Sequence, residues 1–507
     1  MCQYYGNYTY AEEMYEALRT FAMTDINIIR GQGWLWAGGS YGDWCSPSNL
    51  TDGNAPISAG ASEGSKITDN AMLYGALTEI ANLTRLLADN AYDAGDRAQA
   101  EAYAADLAVY EDALENMYAA YNAKFFDQAN GCYDTGEWSQ VNDRTRYRQT
   151  SQLASLAYGL VPAEYEQDVV DSLLEDIIAK GYHLDTGVVG TKLILPMLDK
   201  YGYEDLAFRI TTQTTYPSWG YWLAQGATSC WENWETTTRS LDHHMFGSAS
   251  EWFYSGLAGI RDITGGYETF TIDPAFTGSL DYVNCSIETV RGTLSSNWKL
   301  NDDGTITMEL TVPYGSTAKA YLPTAEADGV LVNGQAADAA EGVTAAGLED
   351  GRYCLTLSAG SYSIVTGSDL VELYKFALDD AIQTAEALDT DLYPADVLAD
   401  VEAALEEARR LSAAEAGEAF QKQLNDAEAA LAAAIAEAQG SEARQALYEA
   451  LAQYGDADMS DASATEAAAY ASAVLTATKL AQDYTTDDEQ LEAARNKLED
   501  IYRQVVL

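Results

Sequence analysis

Apolar residues return at three- and four-residue intervals through most of the first half of the chain, the spacing of helices that bury one stripe. Leu73, Leu77, Ile80, Leu83, Leu86 and Leu87 mark such a stripe within Ile67–Tyr92, and Ala98–Lys124 carries the same period. Further helices are predicted over Glu12–Arg30, 146–160, 164–180, 190–201, 203–213 and Met245–Ile260. These helices alternate with loops rich in Gly and aromatic residues. The longest, GQGWLWAGGSYGDWCSPSNLTDGNAP, is more than a connector needs, and loops of that size usually carry function.

The period changes after Gly265. YETFTIDPAF, VNCSIETVRGTLSSNWKL, TITMELTVPYGSTAKAYLP, GVLVNGQ and YCLTLSAGSYSIV are short β-branched or aromatic runs separated by turn residues, the pattern of a β-sandwich. NDDG at Asn301–Gly304 reads as a hairpin turn. From Asp369 onward the chain is Ala-, Glu- and Leu-rich and helical, and it repeats itself. Leu373-Tyr374 returns as Leu447-Tyr448, Leu405 as Leu475, and Gln423-Leu424 as Gln490-Leu491. A period near seventy suits a helical hairpin or a three-helix module. The tail resembles the FIVAR-type helical repeats of bacterial surface proteins, which implies spacer or adhesion modules. The expected organisation is a barrel-like helical domain over 1–264, a sandwich over 265–367, and helical repeats over 368–439 and 440–507.

Charge narrows the partners. Lys and Arg number 28 against 79 Asp and Glu, a formal net charge of −51. Such a surface repels phosphate backbones and anionic lipid, so nucleic acid and membrane are not expected partners. No stretch reaches the length of a membrane span, and MCQYYGNYTYAEEMYE carries neither a basic nor an apolar signal region. Both ends lie within helical patterns, as in a piece of a longer protein. The six cysteines are scattered and the histidines number three, so isolated thiols are expected and a metal centre or cofactor is not.

Two loops bring acids beside tryptophans. Trp34, Trp36, Asp43 and Trp44 share the first; Trp219, Trp222, Trp231, Glu232, Trp234 and Glu235 share the last. A carboxylate beside indoles is partly desolvated and suited to acid or base work, and aromatic faces hold a pyranose. Glycoside hydrolysis needs two carboxyls, one to protonate the leaving oxygen and one acting from the opposite face. The same residues also read as core plugs beside an exposed loop acid.

TYPSWGYWLAQGATSCWENWE and SLDHHMFGSASEWFYSGLAGI resemble the signature of the bacterial α-L-rhamnosidases of glycoside hydrolase family 78. HLDTGVVGTKLILPMLDKYGYEDLAFRI is similar to the same family's preceding helices, and IETVRGTLSSNWKL with ELTVPYGSTAKAYLP to its C-terminal sandwich. The resemblance covers residues 10 to 366. It implies a multidomain, mainly α chain: a partial (α/α)6 six-hairpin barrel, an antiparallel β-sandwich and a helical-bundle tail. It also implies inverting hydrolysis of terminal α-L-rhamnose with Glu232 as general base. His243 falls where the family has a sugar-contacting histidine, although Asp242 replaces the usual Asn and His244 follows. Trp34, Trp36, Trp44 and Trp231 are candidate stacking walls or core residues, and Asp43 bonds a sugar hydroxyl or caps its turn.

One departure stands out. The family's general acid lies in an Arg-x-Asp…Glu…Gly-Trp-x-Gly-Asp segment that does not occur between Met1 and Gly42. The eight predicted helices also fall short of the twelve of a six-hairpin barrel. The expectation is a fragment without its proton donor, whose partner is the missing N-terminal part of the same protein. Asp43, Glu63, Asp134, Glu137 and Asp185 are the candidate substitutes. The alternatives are a non-catalytic carbohydrate-binding or scaffold chain, or another six-hairpin exo-glycosidase. The surface-type tail leans towards an extracellular parent protein.

Overall fold

The computed structural model describes residues 2–37, 42–47, 65–133, 148–236, 238, 240–277, 279–301, 303–349, 351–369, 373, 375–388, 393–414, 421–457, 459 and 462–505. The chain divides into two compact units, Met1–Val371 and Glu372–Leu507.

The first unit opens with α1 (Cys2–Tyr5) and α2 (Thr9–Arg30), followed by α3 (Ser65–Asp93) and α4 (Arg97–Phe125). Next come a two-residue ribbon of β1 (Phe126–Asp127) and β2 (Cys132–Tyr133), then α5 (Gln149–Ala157), α6 (Glu166–Ala179), α7 (Gly190–Lys200) and α8 (Glu204–Thr212). The series closes with α9 (Trp219–Ala224) and α10 (Ala249–Trp252), the latter running on as a π turn. Helices α3, α5, α7 and α10 touch one another in sequence, and α4, α6 and α8 back onto α3, α5 and α7. Short turns such as 94–96 and 201–203 join the helices within a pair, and the longer connections lie between pairs. Antiparallel helices with that alternation gather the long loops at one end, where a site can be built.

Helix α2 shows why the helical region folds as it does, and also where it is incomplete. Ala11, Tyr15, Ala22, Ile26 and Ile29 are buried on one face. Tyr10, Met14 and Phe21 sit exposed on another, beside exposed Met72 of α3. Helix α9 lies inside a segment whose aromatic density reads as loop. Ser218 caps it, its hydroxyl accepting from the Tyr221 amide at 2.9 Å.

Two sheets follow. One has six strands in the order β10-β9-β13-β7-β6-β5 and the other five in the order β11-β12-β8-β4-β3. They comprise β3 (Ile260–Thr264), β4 (Thr269–Ile272), β5 (Tyr282–Thr289), β6 (Gly292–Leu300), β7 (Ile306–Val312), β8 (Thr317–Tyr321), β9 (Leu331–Val332), β10 (Gln335–Ala336), β11 (Val343–Glu349), β12 (Arg352–Leu357) and β13 (Gly360–Thr366). Phe270, Ile272, Leu294, Trp298, Met308, Leu355 and Ile364 form the core between them. The expected antiparallel sandwich is corrected at one pairing, since β4 and β8 run parallel. Strand β3 precedes Gly265, so that composition break falls in the β3–β4 turn.

The sandwich is clamped to the helices. Arg261 of β3 donates to Asp199 of α7 at 2.9 Å and to the Asp273 carbonyl at 3.0 Å. Trp298 Nε1 donates to the Leu257 carbonyl at 3.0 Å, and Ser279 to Asp205 of α8 at 3.0 Å. Around this contact Asp199, Glu204, Asp205 and Asp273 gather near Arg261. Burial and the neighbouring carboxylates push Glu204 up to about 8, and burial pushes Asp199 up to about 6 against the pull of Arg261.

The second unit is two sets of three helices. The first comprises α11 (Phe376–Glu386), α12 (Ala395–Ser412) and α13 (Gln421–Gln439), packed around Leu378, Val401, Leu411, Leu424 and Leu431. The second comprises α14 (Glu442–Tyr454), α15 (Ala464–Gln482) and α16 (Asp488–Val505), packed around Leu447, Leu451, Tyr470, Leu491 and Leu498. Of the hairpin and three-helix alternatives, the three-helix module is the one present.

Candidate active site

Three long loops meet at the loop end of the helical region. The first carries Asp43, Trp44 and Cys45; the second leads into α7; the third runs from α9 to α10. Asp43 is buried, and its carboxylate accepts from the Thr150 hydroxyl at 2.5 Å and from the amides of Gly187, Val189 and Gly190 at 2.7, 3.0 and 3.0 Å. Cys45 lies at positive φ, and its Sγ donates to Asn233 Oδ1 at 2.9 Å, joining the first loop to the third.

The third loop folds back on itself as a pair of extended segments. The His243 amide donates to the Cys230 carbonyl at 2.7 Å, and the Glu232 amide to the Ser240 carbonyl at 3.0 Å. Glu232 and His243 therefore stand on paired segments. Glu232 is half-buried, and its carboxylate meets no hydrogen-bond donor among the described residues. His243 is also half-buried, with Nδ1 enclosed and unpartnered among the described residues. Beneath them Trp234 is fully buried, stacked on Trp222 with ring centroids 4.6 Å apart, and its Nε1 donates to the Thr186 carbonyl at 2.9 Å. This indole pair is the floor on which the Glu232 loop rests.

A cavity of about 640 Å³ opens beside these loops. Trp36 and Trp44 line it, with Phe21, Met72, Val188 and Val189, and Asp25, Asp69 and Lys192 add charge. Asn70, itself buried, fixes the Trp36 wall by accepting from its amide at 2.7 Å and donating to its carbonyl at 3.1 Å. Glu232 and His243 are not among the lining residues; they sit on the loop joined to the cavity's Trp44 loop through Cys45.

The other expected residues are placed differently. Trp231 is 8% exposed and packs towards Trp222 at 6.0 Å, so its face is not open as a stacking wall. Trp34 does not line the cavity; like Trp36 it packs on the α2–α3–α4 core, with Arg30 over its ring at 5.2 Å. Asp43 turns inward, every acceptor direction filled by a protein donor. Asp185 is buried 3.4 Å from Lys180. Glu63, Asp134 and Glu137 lie outside the described residues. None of the six cysteines forms a disulfide, and among the described residues no group of three or more His, Cys, Asp or Glu is placed to hold a metal.

Thr150 and Asn70 hold the site together and carried no motif, and Asn233, within the WENW segment, was not singled out. Thr150 lies in α5, where Gln149, Thr150, Ser151 and Gln152 are all buried. A buried polar run needs partners inside the protein. Here Gln149 accepts from the Asp185 amide at 2.6 Å, and Gln152 accepts from the Tyr133 amide at 2.8 Å.

Residues 1–257 match the bacterial alpha-L-rhamnosidase 6 hairpin glycosidase domain, and residues 259–337 the bacterial alpha-L-rhamnosidase C-terminal domain. An alpha-L-rhamnosidase of Formosa agariphila is 28% identical over 347 residues, which is 66% of this chain and 33% of that protein. One of Streptomyces avermitilis is 29% identical over 239 residues, 45% of this chain and 23% of that protein. The chain thus spans a third or less of these relatives. Among solved structures, the alpha-L-rhamnosidase from Dictyoglumus thermophilum superposes with a TM-score of 0.58 at 28% identity, covering 72% of this chain and 38% of that one. The Streptomyces avermitilis enzyme complexed with L-rhamnose gives 0.56 at 24% identity, over 72% and 31%, and bears on the fold alone.

Proposed function

The chain belongs to the bacterial alpha-L-rhamnosidase six-hairpin glycosidases, and from that premise we propose that it is the part of such an enzyme that activates water against a terminal α-L-rhamnoside. Glu232 acts as general base. Its carboxylate takes a proton from water, whose oxygen attacks the anomeric carbon from the face opposite the leaving group. The glycosidic bond breaks, the leaving oxygen takes a proton from an acid, and the configuration inverts. Trp36 and Trp44 hold the pyranose, and His243, on the segment paired with that of Glu232, meets one of its hydroxyls. The observation that carries this reading is the folded-back third loop, which holds Glu232, whose carboxylate meets no donor among the described residues, on the segment paired with that of His243 and over a buried indole pair.

The acid comes from outside the residues that carry the family's motifs here. The exposed face of Tyr10 and Met14, away from the cavity lining, is assigned to the remaining hairpins of the toroid, the N-terminal part of the same protein, which would also bring the donor. A panel of nitrophenyl glycosides tests the assignment in protein that includes those hairpins. Release of β-L-rhamnose from the α-rhamnoside alone is expected. Preference for another glycoside would move the chain to a different six-hairpin exo-glycosidase.

A second reading, a sugar-binding chain without turnover, is favoured by the missing donor segment between Met1 and Gly42. Saturable L-rhamnose binding with no hydrolysis, even with the upstream hairpins present, would select it.

A further inference from the structure

Asp43 stands where a sugar ligand was expected, yet its acceptor capacity is used inside the protein. An ionised carboxylate offers about four acceptor directions. Here Oδ1 takes the amides of Val189 and Gly190, and Oδ2 takes the amide of Gly187 and the hydroxyl of Thr150. The fourth amide of that run, Val188, donates to the Trp44 carbonyl at 2.9 Å. Four consecutive amides at the head of α7 are thus held by two adjacent residues of the first loop. The positive end of a helix favours a carboxylate there. The fit is close. A Cβ at Gly187 would stand 2.2 Å from the Trp44 carbonyl oxygen, and one at Gly190 2.1 Å from Thr150 Oγ1.

The joined parts are walls of the site. Trp44, Val188 and Val189 line the cavity, and Lys192 lies on the first turn of α7. The residue after Trp44 bonds Asn233, next to Glu232. We propose that Asp43 is a positioning residue for rhamnoside hydrolysis: its carboxylate fixes the Trp44 wall against the head of α7 and, through Cys45 and Asn233, sets the loop that carries Glu232. This rests on the assignment of the sugar to this loop end. Asparagine at the same place would aim an amide group at two of the four donors, so an isosteric change breaks the clamp without emptying the space.

Asp43→Asn, Thr150→Val and Thr150→Ser are compared with the wild type in two assays. Amide hydrogen exchange at 187–190 and 231–233, followed without sugar, reads the clamp itself. Indole fluorescence during titration with L-rhamnose and its 2-, 3- and 4-deoxy analogues reads the site. Asp43→Asn is expected to speed exchange in both segments by about tenfold or more. It should also weaken rhamnose and every deoxy analogue by one common factor, about 10²-fold. Thr150→Val should do the same to a smaller degree, and Thr150→Ser should restore wild-type values.

Unchanged exchange at 231–233 would overturn the proposal. So would a loss that vanishes for one deoxy analogue, because that makes Asp43 a sugar ligand. If the wild type binds no L-rhamnose, the sugar assignment fails, whereas the exchange arm still upholds or overturns the clamp. If Asp43→Asn does not fold, the two Thr150 variants decide by the same criteria.

Discussion

The GDW loop and the WENW loop carry the same pattern in sequence, an acid next to tryptophan near the end of a helical hairpin, and the fold treats them in opposite ways. Asp43 is buried, and four protein donors surround its carboxylate. Glu232 is half-buried, and no described donor approaches it. The tryptophans divide in the reverse sense. Trp44, beside the inward-facing acid, lines a cavity, while Trp231 and Trp234, beside the outward-facing one, are buried. Each loop thus buries one member of the acid–indole pair and leaves the other at a cavity wall or half-exposed. Adjacent side chains in extended or turn backbone point different ways, so an anchored residue leaves its neighbour facing out.

Separating stability from affinity breaks this comparison most sharply. Trp234→Ala removes a fully buried indole and its bond to Thr186, and is expected to cost about 3–5 kcal/mol of stability in chemical denaturation. A loss below 1 kcal/mol would mean that the WENW loop does not rest on this floor.

A third acidic environment differs from both, because Glu204 is pressed among the carboxylates of Asp199, Asp205 and Asp273. Its carboxyl is raised from 4.5 to about 8 by burial first and by Asp199, Asp205 and Asp273 after it. The folded state therefore holds a proton that the unfolded state has released between those values. The associated stability is complete below the lower value and is lost as pH rises towards about 8. Discounted for partial exposure, the fall is about 1–3 kcal/mol. Glu204→Gln should flatten it in thermal melts taken across that range; an unchanged slope would assign the pH dependence elsewhere. Asp199, raised to about 6, adds to the fall at the acid end.

Trp36→Ala is the converse of Trp234→Ala. It should weaken L-rhamnose about tenfold by calorimetry, an aromatic stacking effect near 1.4 kcal/mol. Its thermal midpoint should move far less than that of Trp234→Ala, and equal shifts would return Trp36 to the core. Smallest of all, Cys45→Ala removes one thiol–amide bond and should cost about 0.5 kcal/mol or less. Under the positioning account it should still loosen exchange at Asn233, and unchanged exchange there would cut the link between the two loops.

Much of this was legible before any coordinates. The long stripes of α3 and α4 announce themselves because each buries several leucines or aromatics at helical spacing. The change of period after Gly265 marks the sandwich to within one strand. The acid–indole pairs point to the end of the helical region where the first and third loops meet. Which acid faces inward was not legible, because that depends on Thr150 and on amides more than a hundred residues from Asp43. The buried polar run of α5 reads as surface until its partners are seen. Helix α9 was hidden by its aromatic content, although Ser218 after Pro217 was an available cap signal. The parallel β4–β8 pairing joins strands far apart in the chain, and no local pattern records it.

The central claim is that Glu232 takes the proton from water. Its most direct test is the turnover number of Glu232→Gln on nitrophenyl α-L-rhamnoside, in protein that includes the upstream hairpins, beside its affinity for L-rhamnose. The account predicts a fall of about 10²–10⁴-fold in turnover with affinity within a few fold of wild type. Turnover within a few fold of wild type would contradict it.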